Sequence, residues 1–215
     1  GTFTVRLTVT DNAGGTASAT TSVSVTNTPP VANAGGPYTV NQGVALILNG
    51  AGSSDSDGTL ALYEWDCTNN GTFDVSSANP TDSTCTYANV GGYPLRLRTS
   101  DDDGGTNTAL ASVTVTNTPP TADAGGLYTV NQGVALTLDG SASVDPDGAV
   151  VQWQWDCTDD GTYDVTASTG VATGACTYPG VGTQTIRLRV TDDDGATANT
   201  TTTVTITNTA PVANA

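Results

Sequence analysis

Trp65-Asp66-Cys67-Thr68-Asn69-Asn70-Gly71-Thr72-Phe73-Asp74 returns ninety residues later as Trp155-Asp156-Cys157-Thr158-Asp159-Asp160-Gly161-Thr162-Tyr163-Asp164. Each copy follows a run with apolar residues at every second position, the pattern of a strand with one face in a core. Trp65 and Trp155 close those runs, so their indoles are expected inside. Past each Trp the chain reads Asp-x-Thr-x-(Asn/Asp)-Gly-x-x-Asp, with oxygen side chains at alternate positions and Gly at the sixth. That is the front half of a calcium loop, in which alternate residues of a curled backbone point inward and Gly permits the sharp turn. The reading makes Asp66, Asn70 and Asp74, and Asp156, Asp160 and Asp164, candidate Ca²⁺ ligands. Thr68 and Thr158 at the third position, and Ser77 and Ala167 at the twelfth, leave such a loop short of carboxylates. The same residues also make a polar hairpin turn, and both readings stand.

Composition removes whole classes of chemistry. The chain has 21 acidic residues against five arginines, a formal charge of −16, and no His or Met. It also lacks Lys. Without His there is no Ser-His-Asp or Cys-His nucleophile and no imidazole zinc site. Without Lys there is no Schiff base and no lysine isopeptide cross-link. A surface this acidic repels nucleic acid and anionic membranes. No apolar run approaches the roughly 20 residues of a membrane helix, so direct membrane insertion is not expected. A first residue Gly1 and the lack of Met suggest a piece processed or excised from a longer polypeptide.

The four cysteines fall as pairs, Cys67 with Cys85 and Cys157 with Cys176, 18 and 19 residues apart. An even number at matching places predicts one disulfide per repeat and an oxidising compartment. The alternative is four free thiols or an all-cysteine metal site, although no Cys-x-x-Cys spacing is present.

The repeat sets the domain frame. Asn27-Thr28-Pro29-Pro30 recurs as Asn117-Thr118-Pro119-Pro120 and Asn208-Thr209-Ala210-Pro211, and YTVNQGVAL at residues 38–46 is identical at 128–136. The expected parts are the carboxyl-terminal third of a domain (1–30), two whole domains (31–120 and 121–211) and the opening of a further one (212–215). Residues 1–30 offer about two strands, too few for a core. A neighbouring chain or an upstream continuation is expected to complete them. The linkers contain no Gly, and their Pro residues predict short, stiff connections.

Within each whole repeat, period-two runs alternate with Gly/Asp/Asn turns. Val44, Leu46 and Leu48 form one face, Ala61, Tyr63 and Trp65 a second, and Tyr93, Leu95, Leu97 and Thr99 a third. Arg6, Arg96, Arg98, Arg187 and Arg189 fall on outer faces, where pairing with cross-strand acids is expected and a ligand-facing ladder is the alternative. No window supports a helix of ordinary length. About seven strands, one buried Trp and one bridge predict an all-β fold of tandem immunoglobulin-like antiparallel sandwiches.

Taken together the motifs resemble the PKD domain, the immunoglobulin-like module named for the polycystic kidney disease protein. The resemblance rests on Pro-Pro-Val-Ala-Asn-Ala-Gly, Gly-Ser-Ser-Asp-Ser-Asp-Gly at Gly52–Gly58, Tyr63-Glu64-Trp65-Asp66, and the Arg-Leu-Arg run with its Asp-rich turn. The second repeat carries matching elements, and residues 1–30 match the family's last two strands. Family members often follow Trp-Asp with Phe-Gly-Asp-Gly; here Cys67 and Cys157 stand instead. The resemblance implies an extracellular, non-catalytic spacer or adhesion module, sometimes calcium-bound, found in surface proteins and beside secreted hydrolases.

In a sandwich of this type the turn after the second strand and the turn before the last meet at one pole. That would bring Asp55 and Asp57 to Asp101 and Asp103, with Asn33 close by, and Asp145 and Asp147 to Asp192 and Asp194, with Asp123. Like charges at about 5 Å cost roughly 1 kcal/mol even in a water-like dielectric, and Ca²⁺ would relieve that repulsion. Good turn formation explains the same residues without metal. The loops at Asp66 and Asp156 are expected at the opposite pole. Asn70-Gly71-Thr72 and Asn199-Thr200-Thr201 match glycosylation sequons.

The expected function is a calcium- and disulfide-stabilised structural or adhesive rod segment of a surface stalk or fibre. Its partners would be neighbouring repeats of the same or an identical chain, with extracellular matrix or polysaccharide as further candidates. The alternative is an accessory module presenting a secreted hydrolase to a polysaccharide. Catalysis is not expected, because the acids sit in turns with no insertions to build a cleft.

Overall fold

The computed structural model describes residues 1–213; Asn214 and Ala215, within the expected opening of a further repeat, lie outside it. Sixteen strands are present among the described residues. β1 (Thr2–Thr10) and β2 (Thr16–Ser24) form a hairpin. The first full repeat contains β3 (Tyr38–Asn41), β4 (Leu46–Ile47), β5 (Leu60–Asp66), β6 (Val75–Ser77), β7 (Thr84–Cys85), β8 (Gly91–Asp101) and β9 (Thr106–Thr116). The second contains β10 (Tyr128–Asn131), β11 (Leu136–Asp139), β12 (Val150–Asp156), β13 (Val165–Ala167), β14 (Val171–Cys176), β15 (Gly182–Asp192) and β16 (Thr197–Thr207). No helix among the described residues is long and apolar enough to cross a membrane.

Each repeat builds a five-stranded sheet, ordered β3-β9-β8-β5-β6 or β10-β16-β15-β12-β13, and a two-stranded sheet, β4-β7 or β11-β14. In the second repeat the larger sheet is antiparallel except where β10 runs parallel to β16. The chain also divides into two compact units, Gly1–Thr39 with Ala45–Thr86 and Gly92–Thr114, and Val40–Val44 with Tyr87–Gly91 and the described part of Val115–Ala215.

Alternation dictates what is buried. In β8, Leu95, Leu97 and Thr99 are fully enclosed while Arg96 and Arg98 between them reach the outer face. In β15, Ile186, Leu188 and Val190 do the same around Arg187 and Arg189. Trp65 and Trp155 lie at the centres of their repeats with no exposed surface. Val44 and Val134 do not share this burial and are about half exposed. The amide of each turns back to Asn41 or Asn131, so the core face of the following strand opens only at Leu46 and Leu136.

The cysteines pair as Cys67–Cys85 and Cys157–Cys176, with Cα–Cα separations of 5.8 and 5.7 Å. Both bridges reach from the loop after the Trp strand to β7 or β14, across the two sheets. Loops of this size contribute on the order of 3 kcal/mol in the chain-entropy model.

Candidate functional site

Strand register places the candidate residues. β12 pairs with β15 so that Val150 faces Asp192 at one end and Asp156 faces Arg187 at the other; β5 pairs with β8 in the same way, Leu60 with Asp101 and Asp66 with Arg96. The two sets of predicted ligands therefore sit at opposite poles of each sandwich.

At the first pole of the second repeat, the turn Asp145–Gly148 lies against the turn Asp192–Gly195. The Ala149 amide donates to Asp193 Oδ1 at 2.7 Å, and the Asp193 amide to the Ala149 carbonyl at 3.0 Å. The Asn-Thr linker joins them: Asn117 Nδ2 donates to Asp192 Oδ2 and the Thr118 amide to Asp147 Oδ2, both at 2.8 Å. Asp192, almost fully buried, spends Oδ1 on the amides of Asp194 and Ala196. Four oxygens remain enclosed with no hydrogen-bond partner, namely both of Asp145, Oδ1 of Asp147 and Oδ1 of Asn117. Burial pushes the Asp145 carboxyl above its ordinary range; the Asp147 amide beside it opposes this, and the charges of Asp147 and Asp192 reinforce it. Burial and the charges of Asp193, Asp192 and Asp147 do the same to Asp194.

The first repeat copies this arrangement. Asn27 Nδ2 donates to Asp101 Oδ2 at 2.9 Å and the Thr28 amide to Asp57 Oδ2 at 3.0 Å, while both oxygens of Asp55 are enclosed and unpartnered. A β-carbon added to Gly58 would stand 2.5 Å from Asp102 Oδ1 and 2.7 Å from Asp55 Oδ2, so two carboxylates from different turns converge on one glycine. The Asn27 amide is the main cause holding the Asp101 carboxyl below its usual range, with the amides of Gly105 and Asp103 adding to it. Asp103 lines a cleft of about 360 Å³ together with Asn27 and Asp57.

Asn33 and Asp123 are used differently. Each side-chain oxygen caps the amide two residues on, Gly35 or Gly125, and each backbone amide donates to Ser53 or Ser143. None of these bonds reaches the carboxylate cluster.

At the opposite pole the loop closes on itself. Asp66 Oδ1 accepts from the Asn70 amide, and Oδ2 accepts from the Gly71 amide and from Arg96 at 2.9 Å. Asp74 accepts from the Cys67 amide and Asn70 Oδ1 from the Thr72 amide. Asp156 takes the amides of Thr158, Asp160 and Gly161, Asp164 takes that of Cys157, and Asp160 takes that of Thr162. Asn69 and Asp159 adopt positive φ, 54° and 56°, to wind the backbone around that buried carboxylate. Burial pushes the Asp66 carboxyl up, but the amides of Gly71, Asn70 and Thr68 and the Arg96 charge outweigh it and leave it below its ordinary range.

The arginines pair less uniformly than a cross-strand rule predicts. Arg98 makes a two-pronged bond to Glu64 at 2.6 and 2.8 Å. Arg189 instead meets the Gln154 amide oxygen, and Arg187 reaches Asp159 in the loop. Arg98 and Arg189 also stack over the Phe73 and Tyr163 rings at 4.1 Å.

Among the described residues no three Asp, Glu or Cys side chains form a metal shell on their own. Asparagine oxygens, backbone carbonyls or water would have to complete any coordination sphere. The enclosed, unpartnered oxygens of Asp145, Asp147, Asn117 and Asp55 fit that need, because a hard cation satisfies oxygens that no donor reaches. Asn117, Thr118 and their counterparts Asn27 and Thr28 are the residues sequence reading missed. Their recurrence in phase with the Asp turns marks the repeat frame in the sequence and is also the signal of their bonding role.

The profile of the PKD domain matches residues 27–116 and 117–207, and the chain belongs to this family. Both matched spans open on the asparagine that bonds to the following turns. The chain is similar to the human dyslexia-associated protein KIAA0319, 34% identical over 209 residues that make up 91% of this chain and 19% of the relative. It is also similar to the pre-pro-metalloprotease PrtV of Vibrio cholerae, 31% identical over 144 residues, 67% of this chain and 14% of the relative. The chain thus spans less than a fifth of either. A solved PKD1 domain of Vibrio anguillarum Epp is 28% identical and covers 44% of this chain and all of its own, with a TM-score of 0.34.

Proposed function

We propose that this chain is a non-catalytic, extracellular structural repeat segment in which Ca²⁺ fastens each Asn-Thr-Pro-Pro linker to the repeat that follows. The reading is carried by the enclosed and unpartnered oxygens of Asp145, Asp147 and Asn117, gathered where the linker meets two acidic turns. Asp145, Asp147 and Asn117 in one repeat, and Asp55, Asp57 and Asn27 in the other, would hold the ion. When bound, the ion supplies positive charge to carboxylates that otherwise repel. The loops around Asp66 and Asp156 are the weaker candidates, because backbone amides already fill their carboxylates. Disulfides and a strongly acidic surface suit an oxidising exterior, and segments of this kind would serve as stiff spacers of a surface stalk or fibre.

Calorimetric titration of the chain with Ca²⁺ tests the reading, with melting temperature and small-angle scattering followed in Ca²⁺ and in chelator. Saturable binding with a higher melting temperature and a stiffer array is expected. No heat of binding and unchanged melting would defeat it.

A second reading, an accessory module that binds matrix or polysaccharide beside a secreted hydrolase, draws on the likeness to the Vibrio metalloprotease precursor. The arginines stacked on Phe73 and Tyr163 weigh against it, since they occupy ring faces a sugar would use. Retention on chitin or cellulose would favour it.

A further inference from the structure

The stretch Asn41-Gln42-Gly43-Val44 leaves β3 through a tight turn. Gly43 takes a φ of 70°, which a residue without a β-carbon adopts freely. Backbone bonds then fix the turn: the Gln42 amide donates to the Thr116 carbonyl at 3.0 Å, that of Gly43 to the Tyr87 carbonyl at 2.8 Å, and that of Val44 to the Asn41 carbonyl at 3.2 Å. Gln42 is only 9% exposed, and its Oε1 is enclosed with no hydrogen-bond partner. A glutamine is ordinarily a surface residue, and an enclosed acceptor without a donor carries an unrelieved desolvation cost.

A cavity of about 610 Å³ lies here. It is lined by Asn41, Gln42 and Val44 of the turn, Thr118 of the linker, and Pro146 and Asp147 of the next acidic turn, all within one compact unit. That volume suits a small molecule or a long side chain and far exceeds the needs of a bare ion. Asn41 is spent on the wall itself, its Nδ2 donating to Thr118 Oγ1 at 3.0 Å and its Oδ1 accepting from Thr116 Oγ1 at 2.8 Å. Asp147 Oδ2 takes the Thr118 amide. Two acceptors are left over, Gln42 Oε1 and Asp147 Oδ1. No positive side chain lines the cavity. The chain has no Lys or His, and its five arginines bond elsewhere, to Ser18, Asp66, Glu64, Asp159 and Gln154.

We propose that this cavity receives an arginine side chain of another molecule. Its guanidinium donates to Gln42 Oε1 and Asp147 Oδ1, and its methylene stem lies over Pro146 and the half-exposed Val44. A planar, weakly hydrated guanidinium with several donors meets two acceptors at less desolvation cost than a compact ammonium. The net charge of −16 draws a cation toward the site. Free arginine and an arginine within a polypeptide share this chemistry. Gln42 is not among the ligands proposed for Ca²⁺, so the inference stands apart from the ion.

The test titrates the ¹⁵N-labelled 215-residue chain, in chelator, with acetyl-glycyl-arginyl-glycinamide, its lysyl counterpart and free arginine. The signals followed are the Gln42 side-chain amide and the Thr118 backbone amide, which reports on Asp147. Saturable shifts with the arginyl peptide are expected. Gln42→Leu should weaken binding by about tenfold or more, the loss of one charge-assisted hydrogen bond, with unchanged melting showing an intact fold. Gln42→Glu should tighten binding several-fold, while Gln132→Leu, in the identical motif of the second repeat, leaves it unchanged. Tighter binding of the peptide than of free arginine assigns the site to a polypeptide partner, and the reverse assigns it to the amino acid. No shift of these signals, undiminished binding by Gln42→Leu, no gain in Gln42→Glu, or equal binding of the lysyl peptide would each overturn the proposal. Ca²⁺ binding by Gln42→Leu, measured separately, keeps the fate of the ion reading distinct.

Discussion

Asp66 and Asp145 are both aspartates in loops of one fold, and their surroundings push their acidity in opposite directions. Asp66 is wrapped by amides and touched by Arg96, so its charged form is favoured and its folded value is depressed. A depressed value contributes stability that is present above the unfolded-chain range near 3.8 and is lost as pH falls through the folded value. Acid unfolding is therefore expected to begin below about pH 4. Asp66→Asn should lower stability at pH 7 and flatten that dependence, as followed by circular dichroism against pH. Asp145 is enclosed near Asp147 and Asp192, and burial outweighs the help of the Asp147 amide, so its charge costs stability at neutral pH. Asp145→Asn is expected to stabilise the ion-free chain by on the order of 1 kcal/mol and to abolish the gain in melting temperature from Ca²⁺. Chelator and Ca²⁺ melts of both forms measure the two effects.

At the scale of elements, the linker and the two acidic turns form one construction. Asn117 donates to a nearly buried carboxylate, and the Thr118 amide to a second. Replacing Asn117 by Ala removes a charge-assisted bond and leaves Asp192 Oδ2 without it, a loss of about 1–3 kcal/mol by chemical denaturation. Much of this level was legible beforehand. Strand positions followed from alternation, as in Leu95, Leu97 and Thr99 against Arg96 and Arg98. The cysteine pairs followed from their matching places in the two repeats. What escaped was governed by backbone donors, which side-chain patterns do not display. The alternating oxygens from Asp66 to Asp74 match a metal loop and an amide-capped turn equally well, and only the placement of the Asn70 and Gly71 amides distinguishes them. Asn33 and Asp123 likewise read as ligands by type, yet cap local turns. The linker asparagines were overshadowed by the prolines beside them, whose effect on stiffness is visible in sequence alone.

For the molecule as a whole, two sandwiches of one family share a plan but not every residue. Asn70 in the first corresponds to Asp160 in the second, and Tyr63 to Trp153, whose indole donates to the Gly140 carbonyl at 3.0 Å. Each also carries its own cross-link between sheets. Reduction is expected to lower the stability of each repeat by about 3 kcal/mol, read as a drop in melting temperature that Cys67→Ser with Cys85→Ser reproduces for one repeat only.

Those cross-links have a mechanical consequence. A chain pulled from its two ends cannot pay out the segment between Cys67 and Cys85, 18 residues apart, or that between Cys157 and Cys176, 19 apart. Each unravelling event under tension should therefore come up short by roughly 60 Å of contour. Reductant should restore that length, and a single-molecule tether would register it as a longer step at each rupture.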